Sequence, residues 1–152
     1  MATLADEDKK FGVRINPRYI NWWTYRFEFL YEGKPIFNRE IFRGDFFEAD
    51  EYESSPLLPV LNDVANCTER GRKFSWDAWE TEVDIDAEVR IYDEKGLEPD
   101  VEITFFIGDV HFVNSEMNYG DHRFYFKMTA DHGDFKKFYE DLKAEMAAME
   151  KI

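Results

Sequence analysis

Between Thr81 and Ile91 the chain alternates strictly. Val83, Ile85, Ala87, Val89 and Ile91 are apolar, and Glu82, Asp84, Asp86 and Glu88 stand between them. Successive side chains point to opposite faces of a strand, so the pattern predicts one apolar face and one row of carboxylates. The same period recurs elsewhere. Phe11, Val13 and Ile15 alternate with Gly12, Arg14 and Asn16. Trp23, Tyr25, Phe27, Phe29 and Tyr31 share one face of a long strand, with Trp22, Thr24, Arg26, Glu28 and Leu30 on the other. Val101, Ile103, Phe105 and Ile107 lie opposite Glu102, Thr104 and Phe106, and Phe124, Phe126 and Met128 opposite Arg123, Tyr125 and Lys127. Further strands are predicted over 36–42 and from Val110 towards Met117. Turns are predicted at Asn16-Pro17-Arg18, Glu32-Gly33-Lys34-Pro35, Glu94-Lys95-Gly96, Gly108-Asp109 and Asn118–Asp121.

Two segments change period. Ser54-Ser55-Pro56 offers a capping hydroxyl and then a proline where a missing N–H costs little, predicting a helix over 55–70. Leu57, Leu58, Leu61, Val64 and Ala65 form its apolar stripe, Gly71 its C-cap, and Arg70, Arg72 and Lys73 sit at its negative end. A second helix is predicted over 134–151, with Phe135, Phe138, Leu142, Met146 and Met149 on one stripe and Asp131 or Asp134 as its cap. Residues 1–10 read as a flexible arm and 11–152 as one α+β domain. Short turns imply antiparallel pairing, which predicts a curved sheet of roughly six to seven strands with both helices on one face. The expected order is β-β-β-α-β-β-β-β-α.

Charge sharpens this picture. The net charge is −14, and residues 77–152 carry −12 of it. Residues 77–102 hold 11 acids against Arg90 and Lys95. Such a chain is repelled by nucleic acids and anionic membranes and is steered towards basic protein surfaces. The plainer reading is that the acids keep an aromatic-rich protein, with 15 Phe and 8 Tyr, in solution. Cys67 is the sole cysteine, so no internal disulfide forms, which suits a reducing compartment. The first ten residues lack a secretion signal, and no apolar run reaches the ~20 residues that span a bilayer, so a cytoplasmic protein is expected.

Catalytic frames are not legible: neither a phosphate-cradling glycine loop nor a nucleophile elbow is present. Asp84, Asp86 and Glu88 share a strand face and offer oxygen ligands for Mg²⁺ or Ca²⁺. A solvated face laced with pairs to Arg26, Arg39, Arg123 or Lys127 accounts for them more simply. His111, His122 and His132 lack metal-site spacing and read as partly exposed residues of strands and turns. Cys67, near a helix C-terminus, reads as structural. Tryptophan is enriched at binding hot spots, which draws attention to Trp22, Trp76 and Trp79. The predicted partner-binding set is therefore Glu82, Asp84, Asp86, Glu88 and Glu102 with Trp22, Trp76 and Trp79.

In size, charge and composition the chain resembles the small acidic immunity proteins of bacterial toxin systems and acidic phage inhibitors of nucleic-acid enzymes. That resemblance rests on composition and on no specific motif. It implies a basic protein partner, such as a toxin or a nucleic-acid enzyme, met by carboxylates in place of phosphates, with no cofactor. Two other readings stand beside it: a small-molecule domain with an aromatic pocket between sheet and C-terminal helix, and a metal-dependent enzyme built on Asp84, Asp86 and Glu88.

Overall fold

The computed structural model describes residues 2–36, 47–52, 55–77, 83–90, 99–108 and 123–150. Among these lie nine strands and two helices. They are β1 (Ala2–Ala5), β2 (Phe11–Ile20), β3 (Trp22–Tyr31), β4 (Lys34–Pro35), β5 (Phe47–Asp50), α1 (Leu57–Ala65), β6 (Arg72–Trp76), β7 (Val83–Arg90), β8 (Asp100–Gly108), β9 (Arg123–Asp131) and α2 (His132–Glu150). The class is α+β and all pairing is antiparallel, as the short turns imply.

The strands form two sheets, where a single curved one was expected. The first runs β1-β2-β3-β4, with β5 also on β3; the second runs β6-β7-β8-β9. Their apolar faces meet. Phe29 of β3 stacks against Phe105 and Phe126 of the second sheet at ring-centroid distances of 5.4 and 4.9 Å. Phe27 meets Phe105 at 6.0 Å, and Tyr25 meets Trp76 edge-on at 6.0 Å. Each such pair adds about 0.5–1.5 kcal/mol to the area it buries. One buried cluster draws on both sheets and both helices, and the paired rings lie within it. The helices complete it rather than covering a single sheet. Helix α2 lies against β1, β2 and α1, and turns Phe135, Phe138, Leu142 and Met146 inward. Met149, the last residue of the predicted stripe, is exposed.

Several local expectations are corrected. Residues 2–5 are not part of an arm: β1 pairs with β2, and Ala2 and Leu4 are fully buried. The chain does not turn at Pro17. Strand β2 runs on to Ile20 and reverses at Asn21, whose φ of 68° lies in the left-handed region that asparagine tolerates. Proline is accepted there because β1 begins opposite Ile15, and among the described residues Pro17 has one neighbouring strand. Glu32-Gly33 does form a hairpin turn, with φ positive at both residues, the two-residue primed type that suits strand twist.

Helix α1 ends at Ala65, short of the predicted 70, so Arg72 and Lys73 belong to β6 and not to a helix terminus. Gly71, with φ of 78°, opens that strand instead of capping the helix. No side chain at the N-cap closes α1; the Glu51 carboxylate accepts the Leu57 N–H at 2.6 Å from outside the helix. His132 is buried, and its Nε2–H donates to the Val64 carbonyl at 2.9 Å, tying the start of α2 to the end of α1. Cys67 is buried, as read. The strand predicted over 36–42 beyond Ile36, the one over 110–117, most of the turns after residue 90, and His111 and His122 lie outside the described residues.

Candidate functional site

The alternation of β7 holds in three dimensions. Val83, Ile85, Ala87 and Val89 are buried, while Asp84, Asp86, Glu88 and Arg90 stand on the outer face. Register extends that face into rows. Lys73 of β6, Glu88 of β7, Glu102 of β8 and Thr129 of β9 align across the sheet. The next row holds Ser75, Asp86, Thr104 and Lys127. Arg90 stands opposite Asp100, and Asp84 opposite Phe106.

The carboxylates on this face fall into two groups. Glu102 is neutralised: Arg90 Nη1 lies 3.3 Å and Lys127 Nζ 3.1 Å from its oxygens. Asp100, largely buried, takes the Arg90 Nε at 2.9 Å. Arg90 thus bridges two acids on β8. Asp84 carries a further polar interaction. Asp86 and Glu88 are different: among the described residues neither has an ion pair, although Lys73 is the cross-strand neighbour of Glu88. Like charges also face each other here, Glu88 opposite Glu102, which is unfavourable without compensation.

These side chains line an open hollow of about 420 Å³, bounded by Lys73, Ser75, Asp86, Glu88, Thr104 and Phe106, with Glu102 and Lys127 at its β9 side. Thr104 is only 9% exposed although it lies on the outer face. Alternation already groups Thr104 and Phe106 with Glu102. That Lys73, Ser75 and Lys127 stand beside them follows from strand register, which no local pattern reveals.

The tryptophans among the described residues do not join this face. Trp76 is 1% exposed and belongs to the core, its Nε1–H donating to the Ser55 carbonyl at 2.7 Å. Its assignment to a binding surface is thereby corrected; as the last residue of β6 it pairs with Ile85 and shares the inward face. Trp22 is 37% exposed, packs on Tyr52 at 4.6 Å and pairs with Ile20 at the β2–β3 hairpin. It projects from the face of β3 opposite the one that meets the second sheet, so it and Asp86 lie on different sides of the molecule. Trp79 and Glu82 lie outside the described residues.

Among the described residues no set of three or more His, Cys, Asp or Glu side chains is arranged to hold a metal ion. No described helix is long and apolar enough to cross a membrane. Comparison with family models, with curated proteins and with solved structures finds no match.

Proposed function

We propose that this protein is an acidic interaction protein whose second sheet presents its outer face to a basic protein partner. The observation that supports this most is the contrast on that face. Glu102 and Asp100 are neutralised by Arg90 and Lys127, while Asp86 and Glu88, side by side on β7, have no ion pair among the described residues. Two unneutralised carboxylates on one strand raise each other's energy, and a cation brought by a partner removes that repulsion. The rest of the charge acts at longer range. A net charge of −14 speeds encounter with a cationic surface and discourages anionic ones. Inhibition of a toxin or nucleic-acid enzyme, with carboxylates standing where phosphates would bind, is the form of this function that the composition favours.

Affinity capture from the source cells tests the reading, with the wild-type chain and the Asp86→Lys/Glu88→Lys variant as paired baits. The expected result is a protein of basic isoelectric point held by the wild type and lost by the variant. Equal retention of the same protein by both baits overturns the assignment of this face.

A further inference from the structure

The outer face of the first sheet carries an apolar row at its hairpin end. Ile20 pairs with Trp22, and the Trp22 ring lies 4.6 Å from that of Tyr52. Their exposures are 66%, 37% and 62% in that order. The row runs from β2 across β3 to the residues that follow β5. Backbone contacts hold Tyr52 in line: the Glu51 N–H donates to the Trp23 carbonyl at 3.0 Å, and the Tyr52 N–H to Asp50 Oδ1 at 3.1 Å. Single exposed apolar side chains are ordinary on a protein surface, whereas a contiguous group of them marks a place where another molecule docks.

The neighbouring row identifies the occupant. Arg18 of β2, Thr24 of β3 and Asp50 of β5 align across the sheet. Arg18 is exposed and has no ion pair among the described residues. Neighbouring strands lie about 4.7–4.9 Å apart, so a cation and an anion flank β3 roughly 10 Å from each other. One row further, Arg26 and Glu48 already pair at 3.0 Å. This end of the first sheet is therefore balanced in charge, while −12 of the net −14 lies in residues 77–152. A second molecule of the same charge meets least repulsion here. The row is also self-complementary. Two copies meeting face to face about a two-fold axis parallel to the strands exchange left for right. That operation sets Arg18 against the copy's Asp50 at both edges, Ile20 against the copy's Tyr52, and Trp22 against the copy's Trp22.

We propose that the outer face of the first sheet, centred on Trp22, docks a second copy of this chain through the apolar row and two reciprocal Arg18–Asp50 pairs. The contact is smaller than the roughly 800 Å² per partner of a standard interface, so the dimer is weak. It is independent of the reading of the second sheet, and it leaves both acidic faces directed outward.

Sedimentation equilibrium from about 10 µM to about 1 mM tests this, a range that covers weak interfaces. The wild type is expected to move from monomer towards dimer across it. Arg18→Asp sets like charges against each other at both edges and is expected to weaken the dimer at least about tenfold. The charge swap Arg18→Asp/Asp50→Arg restores both pairs and is expected to return the dimer to within about threefold of the wild type. Circular dichroism of each variant shows that the fold is kept. A wild type that stays monomeric throughout, a dimer unaffected by Arg18→Asp, or one that the folded charge-swap variant does not restore overturns the proposal.

Discussion

The Tyr25 hydroxyl donates to Glu51 Oε1 at 2.5 Å, and the same oxygen accepts the Leu57 N–H that opens α1. One carboxylate oxygen thus satisfies a phenol whose residue is fully buried and also closes a helix that lacks a cap of its own. Glu51→Ala leaves both donors unmatched and is expected to cost about 2–4 kcal/mol, whereas Tyr25→Phe removes one donor alone and costs about 1 kcal/mol. Urea unfolding of the two single variants and the double variant checks this. The double variant is expected to be less destabilised than the sum of the singles, because the partners share one network.

The same pair sets a pH dependence. Burial, and then the Glu51 carboxylate, push the Tyr25 phenol far above its ordinary range. The folded state therefore holds a proton that the unfolded chain releases near pH 10. Stability contributed by the neutral phenol is complete below that value and falls as pH rises beyond it. Thermal unfolding from pH 8 to 11 is expected to show a steeper loss for the wild type than for Tyr25→Phe.

At the opposite end of the scale, Glu7 is pushed up by partial loss of water and by the like charges of Asp100 and Asp131, with Arg90 opposing. A carboxyl raised in the folded state is protonated there more readily than in the unfolded chain. Its unfavourable contribution is absent below the ordinary carboxylate range and appears as pH rises through it. Glu7→Gln is expected to raise the melting temperature at pH 7 and to leave it unchanged near pH 3. An equal shift at both values would contradict this.

Arg90 bridges Asp100 and Glu102 and also reaches the Thr129 hydroxyl at 3.1 Å. Arg90→Ala leaves two carboxylates on β8 without that cation, one of them largely buried. A loss of about 1–3 kcal/mol is expected, below the figure for a fully buried pair because Arg90 is itself part-exposed. Trp76→Ala, by contrast, is a core truncation and is expected to cost about 3–5 kcal/mol. Both are read from denaturant midpoints.

Alternation along β7, β8 and β3 was legible because a strand's period of two appears directly in the residue order. What was not legible depends on partners distant in sequence. Each strand's apolar face could be read, but not that those of β3 and β8 face each other, so two sheets were taken for one. Ser54 and Ser55 carried the local signal for a cap, yet the helix N–H is met by Glu51, six residues before Leu57. Pro17 signalled a turn, and only the start of β1 at a neighbouring position makes room for it in a strand. Trp76 illustrates the same limit at the candidate site. A tryptophan ahead of an acidic strand has the composition of a hot spot, and only pairing with Ile85 shows that it points inward. The acids divided similarly: Glu88 and Glu102 look alike in sequence, and only the side-chain distances show that Arg90 and Lys127 neutralise Glu102.

The most direct test of the central claim is the affinity of the wild type and of Asp86→Lys/Glu88→Lys for a basic partner captured from the source cells, measured at rising salt. Both substitutions lie on the surface of β7, so the variant is expected to unfold within about 0.5 kcal/mol of the wild type. The account predicts at least about a tenfold weaker complex for the variant at low salt, with the difference shrinking as salt screens the charges. Equal affinity of the two proteins at every salt concentration would contradict it.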